Sequence, residues 1–256
     1  MIDIIQRHFH LAYQPIIDRN GVIKKFEVLI RFDEHFPFDR NPQLIIEAAE
    51  KDPAIIAAID HMVLRQLVHD LSQWMNRGYG IEGLRFALNA SPITLAVSEQ
   101  YLSHLLALPF MLSSRLEIEI LESKIPSDLE DLLRDNMERL SKRGFPLSLD
   151  DFGVGFACMR KLTFNGFTNV KLDGSLTPVH QCQQTYQIVQ SVVELAHNLG
   201  KTVTAEKVET QAQYDALSSL GCDFYQGWYF SKAIACQDLS AFLSSPIHHS
   251  KASGFV

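Results

Sequence analysis

No apolar run in this chain approaches the roughly 18 residues that a helix needs to cross a bilayer, so no membrane span is expected. The N-terminus, Met1-Ile2-Asp3-Ile4-Ile5-Gln6-Arg7-His8, has no basic stretch ahead of a long apolar one, which excludes an ordinary secretory signal. Basic residues are in the minority, 23 Lys and Arg against 30 Asp and Glu, for a formal net charge of −7. With no basic cluster to offset that balance, a DNA-coating role is excluded, although a small phosphorylated substrate held through a metal is not. Four cysteines (Cys158, Cys182, Cys222, Cys236) form no CxxC pair and no zinc-type spacing. They read as reduced thiols filling small apolar gaps, and the expected location is cytoplasmic.

What is present suits one large core. The chain has 256 residues, 46% hydrophobic and 21% charged, close to the roughly 250 residues of a one-domain β/α barrel. An alternating run from His10 to Ile17, the turn Asp18-Arg19-Asn20-Gly21 and a return run from Val22 to Phe32 predict an antiparallel hairpin. Beyond it, helical and β-type segments alternate. Helices are expected at 44–50, 54–76, 99–108, 129–143, 185–199, 211–220 and 239–243, with a short one after residue 155. Strands are expected at 84–89, 115–121, 146–150, 169–173, 202–206 and 222–226. With no repeat or linker, residues 1–246 read as one domain and 247–256 as a flexible tail.

Polar residues end these strands. Asn89 follows Leu84-Arg85-Phe86-Ala87-Leu88, and Glu119 lies in Leu116-Glu117-Ile118-Glu119-Ile120. Asp150-Asp151 follow Pro146-Leu147-Ser148-Leu149, Lys171 lies in Asn169–Asp173, and Glu206 closes Thr202-Val203-Thr204-Ala205. β/α barrels place their chemistry at the strand ends of one mouth. Carboxylates converging there imply bound cations, since uncompensated they repel or take up protons. Asn, Asp and Glu oxygens are hard ligands that suit Mg²⁺ or Mn²⁺. Two such ions clamp an in-line attack on a phosphodiester. The residues alone thus reach a metal-dependent phosphate-ester hydrolase without naming a substrate.

The motifs, in order, are Gln14-Pro15-Ile16, Glu27-Val28-Leu29-Ile30-Arg31, Asn89-Ala90-Ser91-Pro92 and Glu119-Ile120-Leu121-Glu122-Ser123. Asp150-Asp151-Phe152-Gly153, Lys171-Leu172-Asp173, Glu206-Lys207-Val208-Glu209 and Gln226-Gly227 follow. From about residue 9 to 243 this series resembles the EAL-domain family of cyclic di-GMP phosphodiesterases. The resemblance implies a TIM-like (β/α)8 barrel with an antiparallel first strand, opening cyclic di-GMP to linear pGpG with Mg²⁺ or Mn²⁺, two ions in the family's pattern. By position, Glu27, Asn89, Glu119 and Asp150 resemble ligands of one ion, and Asp150 and Asp151 ligands of the second. Lys171 and Glu206 resemble the pair that positions and activates the attacking water. Gln14, Arg31, Asp60, Ser91 and Gln226 resemble substrate contacts, Arg31 suiting a phosphate as a bidentate donor. Glu122 resembles the residue that braces the Asp151–Gly155 loop, and Glu209 one that supports the site from behind. A homodimer is implied, with regulation supplied by a partner protein or by expression level.

Each residue also has a plainer reading. Asp150-Asp151 can cap a helix, Lys171 can snorkel from an edge, Glu27 can be a solvated strand position, Asn89 a turn former and Asp60 the wet face of a helix. The sequence departs from the family pattern at four places. Val28 replaces alanine, Lys207 replaces glycine, and Val154-Gly155-Phe156-Ala157-Cys158 replaces a hydroxyl-rich Thr-Gly-Tyr-Ser-Ser loop. Ala233 stands where proline is common. Lys207 is expected to pair with Glu206 or Glu209, or to touch a substrate phosphate. These departures leave room for a catalytically silent receptor or protein-interaction module, and a third option is a hydrolase of another phosphodiester.

Overall fold

A computed structural model describes residues 2–121, 126–153, 159–164 and 166–244. The chain opens with α1 (Ile2–His8), β1 (Phe9–Asp18), β2 (Ile23–Phe32), α2 (Pro42–Ala49) and α3 (Pro53–Arg77). It continues with β3 (Arg85–Ala90), α4 (Pro92–Val97), α5 (Glu99–Ala107), α6 (Phe110–Ser113), β4 (Leu116–Leu121) and α7 (Glu130–Arg143). Then come β5 (Leu147–Phe152), α8 (Met159–Leu162), β6 (Phe167–Leu172), α9 (Gln183–Asn198) and β7 (Thr202–Ala205). The last elements are α10 (Gln211–Ser219), β8 (Phe224–Tyr225), β9 (Ile234–Ala235) and α11 (Leu239–Ser244).

Strands β2 to β8 are successive parallel neighbours, and β1 pairs antiparallel with both β2 and β8. That closes an eight-stranded barrel with an antiparallel first strand, as the sequence predicts. The β1–β2 turn forms because Asp18 Oδ1 accepts from the backbone of Asn20 (2.8 Å) and Val22 (2.9 Å). Helix α3 starts at Pro53, whose missing N–H costs nothing in the first turn, with Asp52 accepting from Ala54 N at 2.9 Å. Its stripe of Ile56, Ile59, Val63, Leu67, Leu71 and Trp74 is buried. Tyr13 of β1 donates to Asp70 on the same helix at 2.5 Å.

The elements α1, α4, α6 and β9 are absent from the sequence reading. Each is too short for its periodicity to stand out, and α4 begins directly at the Pro92 that follows the Asn89 motif. Cys182, Cys222 and Cys236 are free thiols, but only Cys222 is buried. The gap-filling reading therefore fails for exposed Cys182. The expected tail, the 154–158 loop and Glu122 lie outside the described residues.

The barrel interior is polar, where branched apolar side chains usually fill such barrels. A lower tier consists of Lys25, Glu117, Ser148, Asn169 and Thr204, all buried. Lys25 Nζ lies 2.7 Å from Glu117 Oε1, which also accepts from Ser148 Oγ at 2.9 Å. Asn169 donates to Ser148 Oγ at 2.6 Å and accepts from Thr204 Oγ1 at 3.1 Å. Strand side chains alternate with a period of two. Two residues further along each of these strands therefore stand Glu27, Glu119, Asp150, Lys171 and Glu206, stacked as a second tier above the first.

Candidate active site

The upper tier converges on one ammonium. Lys171 Nζ lies 2.7 Å from Glu206 Oε1, 2.9 Å from Glu119 Oε2, 3.1 Å from Asp150 Oδ1 and 3.7 Å from Glu27 Oε1. Burial opposes the lysine's charge, yet Asp150, Glu119, Glu206 and Glu27 outweigh it and hold the ammonium protonated well above its usual range. Lys171 is 1% exposed, which rules out a snorkelling edge residue. Burial raises the Glu119 carboxyl well above normal against the pull of Lys171, with Glu27 and Asp150 adding to the rise. It pushes Glu206 up to about 8 against the same pull, with Asp150 and Glu27 again adding. Glu27 behaves oppositely. Burial would raise it, but Lys171, Gln226 and Asn89 together hold it low. Asn89 Nδ2 donates to Glu27 Oε1 at 3.1 Å and Gln226 Nε2 to Glu27 Oε2 at 2.5 Å. Glu27 is therefore an anchored carboxylate rather than a solvated position.

Asp150, Asp151 and Glu206 bring carboxylate oxygens within 4.8 Å of one another. Asp151 adopts φ +52°, a left-handed conformation that costs a non-glycine residue on the order of 1–3 kcal/mol. Its N–H donates to Asp150 Oδ1 at 3.0 Å, and that turn aims two adjacent acids at one place. Burial and Asp150 raise the Asp151 carboxyl. The donors are all hard oxygens, which fit Mg²⁺ or Mn²⁺. Gln226 Oε1, buried and without a hydrogen-bond partner, leaves one further acceptor beside Glu27. The sequence reading assigned Glu206 to the attacking water only, whereas its carboxylate also belongs to this acidic triplet.

These groups open into a cavity of about 840 Å³ lined by Gln14, Glu27, Arg31, Asp60, Asn89, Ser91, Asp150, Asp151, Glu206, Glu209 and Gln226. Glu119 and Lys171 lie buried outside that lining. Gln14 sits opposite Glu27 in the β1–β2 ladder, its Nε2 donating to Ser231 O at 3.2 Å. Arg31 Nη1 donates to Ile30 O at 2.8 Å, and burial lowers its pKa against the attraction of Glu27. Asp60 is buried rather than on a wet helix face, accepting from Ser91 N at 3.1 Å at the start of α4. Burial pushes its carboxyl up to about 7. Glu209 is exposed at the rim, its backbone N–H donating to Gln213 at 2.7 Å. Gln226 is positioned by Gly227, where a Cβ would come within 2.0 Å of Val208 O, so that no larger residue fits.

The EAL-domain family model matches residues 2–233. The chain belongs to the EAL-domain family. Cyclic di-GMP phosphodiesterase NbdA of Pseudomonas aeruginosa is 30% identical to this EAL domain over 237 residues, covering 91% of this chain and 30% of NbdA. An uncharacterized signaling protein of Caulobacter vibrioides is 32% identical over 220 residues, 84% of this chain and 26% of that protein. The EAL domain thus spans about a third or less of the length of these relatives. The solved PaMucR phosphodiesterase, in complex with c-di-GMP, superimposes with a TM-score of 0.77 at 27% identity, covering 91% of this chain and 95% of that one.

Two features of the site escaped the sequence reading. Asp173, two positions after Lys171, lines the cavity and takes the Lys207 side chain at 3.1 Å. The expected pairing of Lys207 with Glu206 or Glu209 is thereby corrected. With φ +51° at Lys207, its stem lies across Gly174 and its ammonium reaches Asp173. The lower tier was also unread, although Glu117 two residues before Glu119 carries the period that signals it.

Proposed function

We propose that this EAL domain hydrolyses one phosphodiester of cyclic di-GMP to give linear pGpG, using Mg²⁺ or Mn²⁺ at two neighbouring positions. The observation that carries the reading is the convergence of Glu27, Glu119, Asp150 and Glu206 on one buried ammonium, beside an Asp150–Asp151–Glu206 cluster open to the cavity. Glu27, Asn89, Glu119 and Asp150 hold one ion in this reading, and Asp150 and Asp151, with Glu206 in reach, the other. The ions, when bound, polarise phosphate oxygens and water and compensate the acids. Lys171 orients the water through Glu206, and the Glu206 carboxylate takes its proton as the oxygen bonds to phosphorus, while the P–O bond to a ribose oxygen breaks and that oxygen takes up a proton from solvent to become a hydroxyl. Arg31 holds a phosphate oxygen, Asp60 and Ser91 face a guanine edge, and Gln14 and Gln226 fix the ring between them.

Similarity to a phosphodiesterase named for this substrate and to a solved c-di-GMP complex supports the choice of substrate. Incubation with cyclic di-GMP and either ion, followed by chromatography, should give pGpG; tight binding without product would establish a silent receptor instead. A homodimer is part of the proposal, and sedimentation showing only monomer at working concentration would contradict it. Action in the cytoplasm is likewise part of the proposal; among the described residues no helix is long and apolar enough to cross a membrane.

A further inference from the structure

Lys207 is one of two described non-glycine residues with positive φ, the other being Asp151. Nothing in its local sequence favours the left-handed conformation, which L side chains adopt at a cost and which persists where the surroundings hold it. Here the surroundings do so. Its stem lies directly over Gly174, where a Cβ would come within 2.1 Å of Lys207 Cδ, and its ammonium reaches Asp173 Oδ2 at 3.1 Å. The backbone on either side is pinned as well. Thr177 Oγ1 donates to Glu206 O, and Val208 N donates to Gln226 O at 2.9 Å. A fixed cation is thereby set into the wall of the acidic cavity, immediately after Glu206. Asp173 and Lys207 line the same cavity as Asp150, Asp151 and Glu206, so both members of the pair face the cluster.

We propose that Lys207 is a built-in counter-cation that weakens divalent-ion binding at the Asp150–Asp151–Glu206 cluster and so sets the ion concentration at which the site fills. The inference rests on the reading of that cluster as a metal site. With a neutral residue at 207, Asp173 loses its partner and adds its own negative charge to the cavity wall, so the two effects act in the same direction. The Lys207 side chain is 66% exposed, so the repulsion is partly screened, and the effect shrinks as salt is added.

The test is a Mn²⁺ titration of the nucleotide-free protein, with free ion followed by electron paramagnetic resonance, for wild type, Lys207→Met, Lys207→Gly and Asp151→Asn. Met keeps most of the stem and removes the charge, while Gly also relieves the backbone. Both should bind Mn²⁺ about three- to tenfold more tightly than wild type at low salt, the gap closing toward 0.5 M salt, where the screening length falls to a few Å. Mn²⁺ affinity unchanged in both variants, while Asp151→Asn weakens it, would overturn the inference alone. Affinity that Asp151→Asn leaves intact would overturn the metal-site reading and the inference with it.

Discussion

Replacing Lys171 with Met removes the charge on which four carboxylates converge and keeps much of the side-chain volume. Removing one partner of a buried ion pair costs about 3–5 kcal/mol, because the remaining charge is left uncompensated. For a chain of this size that corresponds to a fall in Tm of roughly 6–20 °C. The loss should depend on pH, with a sign fixed by the raised carboxyls of Glu119 and Glu206. An acid whose native pKa lies above its unfolded value holds a proton in the native state over the interval between the two, so stability falls as pH rises through it. Lys171 pulls both groups down, and its removal raises them further and widens that interval. Lys171→Met should therefore be destabilised less at pH 5, where Glu119 and Glu206 are protonated and Glu27 still loses its counter-charge, than at pH 8. Millimolar Mg²⁺ or Mn²⁺ should restore part of the Tm at pH 8, because ions that bind only the native state stabilise it. Thermal melts at the two pH values, with and without metal, decide the matter. A loss equal at both, or one that the ions do not reverse, would refute the idea that these acids are held together by shared cations.

Glu27→Ala should lower turnover of cyclic di-GMP by more than about a hundredfold, since even residues that merely support metal ligands cost 10–100-fold. Lys171 keeps three carboxylates, so the variant should stay folded by circular dichroism; near-normal turnover would remove Glu27 from the site. Asp60→Asn should stabilise the protein at pH 8 by up to about 4 kcal/mol and by much less at pH 5, because burial holds the native carboxyl at about 7. The same variant should bind cyclic di-GMP more weakly, and denaturant melts at both pH values beside a binding titration check the pair of effects. Lys25→Met should destabilise the barrel by about 3–5 kcal/mol by orphaning Glu117. A denaturation midpoint unchanged in that variant would show the lower tier to be dispensable.

Much of this architecture is legible in the primary structure because strand side chains alternate and barrel mouths gather strand ends. The hairpin turn at Asp18–Gly21 announced the antiparallel first strand, and Asn89, Glu119, Asp150, Lys171 and Glu206 each closed a β-type run. Burial was harder to read. Asp60 has the sequence context of a solvent-facing helical acid, and only the packing of α4 against α3, with Ser91 N on its carboxylate, puts it inside. The lower tier shares strands with the upper one but lies two residues earlier. Its residues Lys25, Ser148, Asn169 and Thr204 have unremarkable neighbours, and only the register brings them together. The partner of Lys207 depended on a backbone angle that no composition or spacing encodes.

The central claim concerns where divalent ions sit, and Mn²⁺ anomalous scattering from crystals soaked with cyclic di-GMP tests it most directly. The account predicts two peaks, one at coordination distance from Glu27, Glu119 and Asp150 and the other from Asp150 and Asp151, with a phosphate of the nucleotide between them. Peaks elsewhere on the protein, with Lys171 still alone among its four carboxylates, would contradict it.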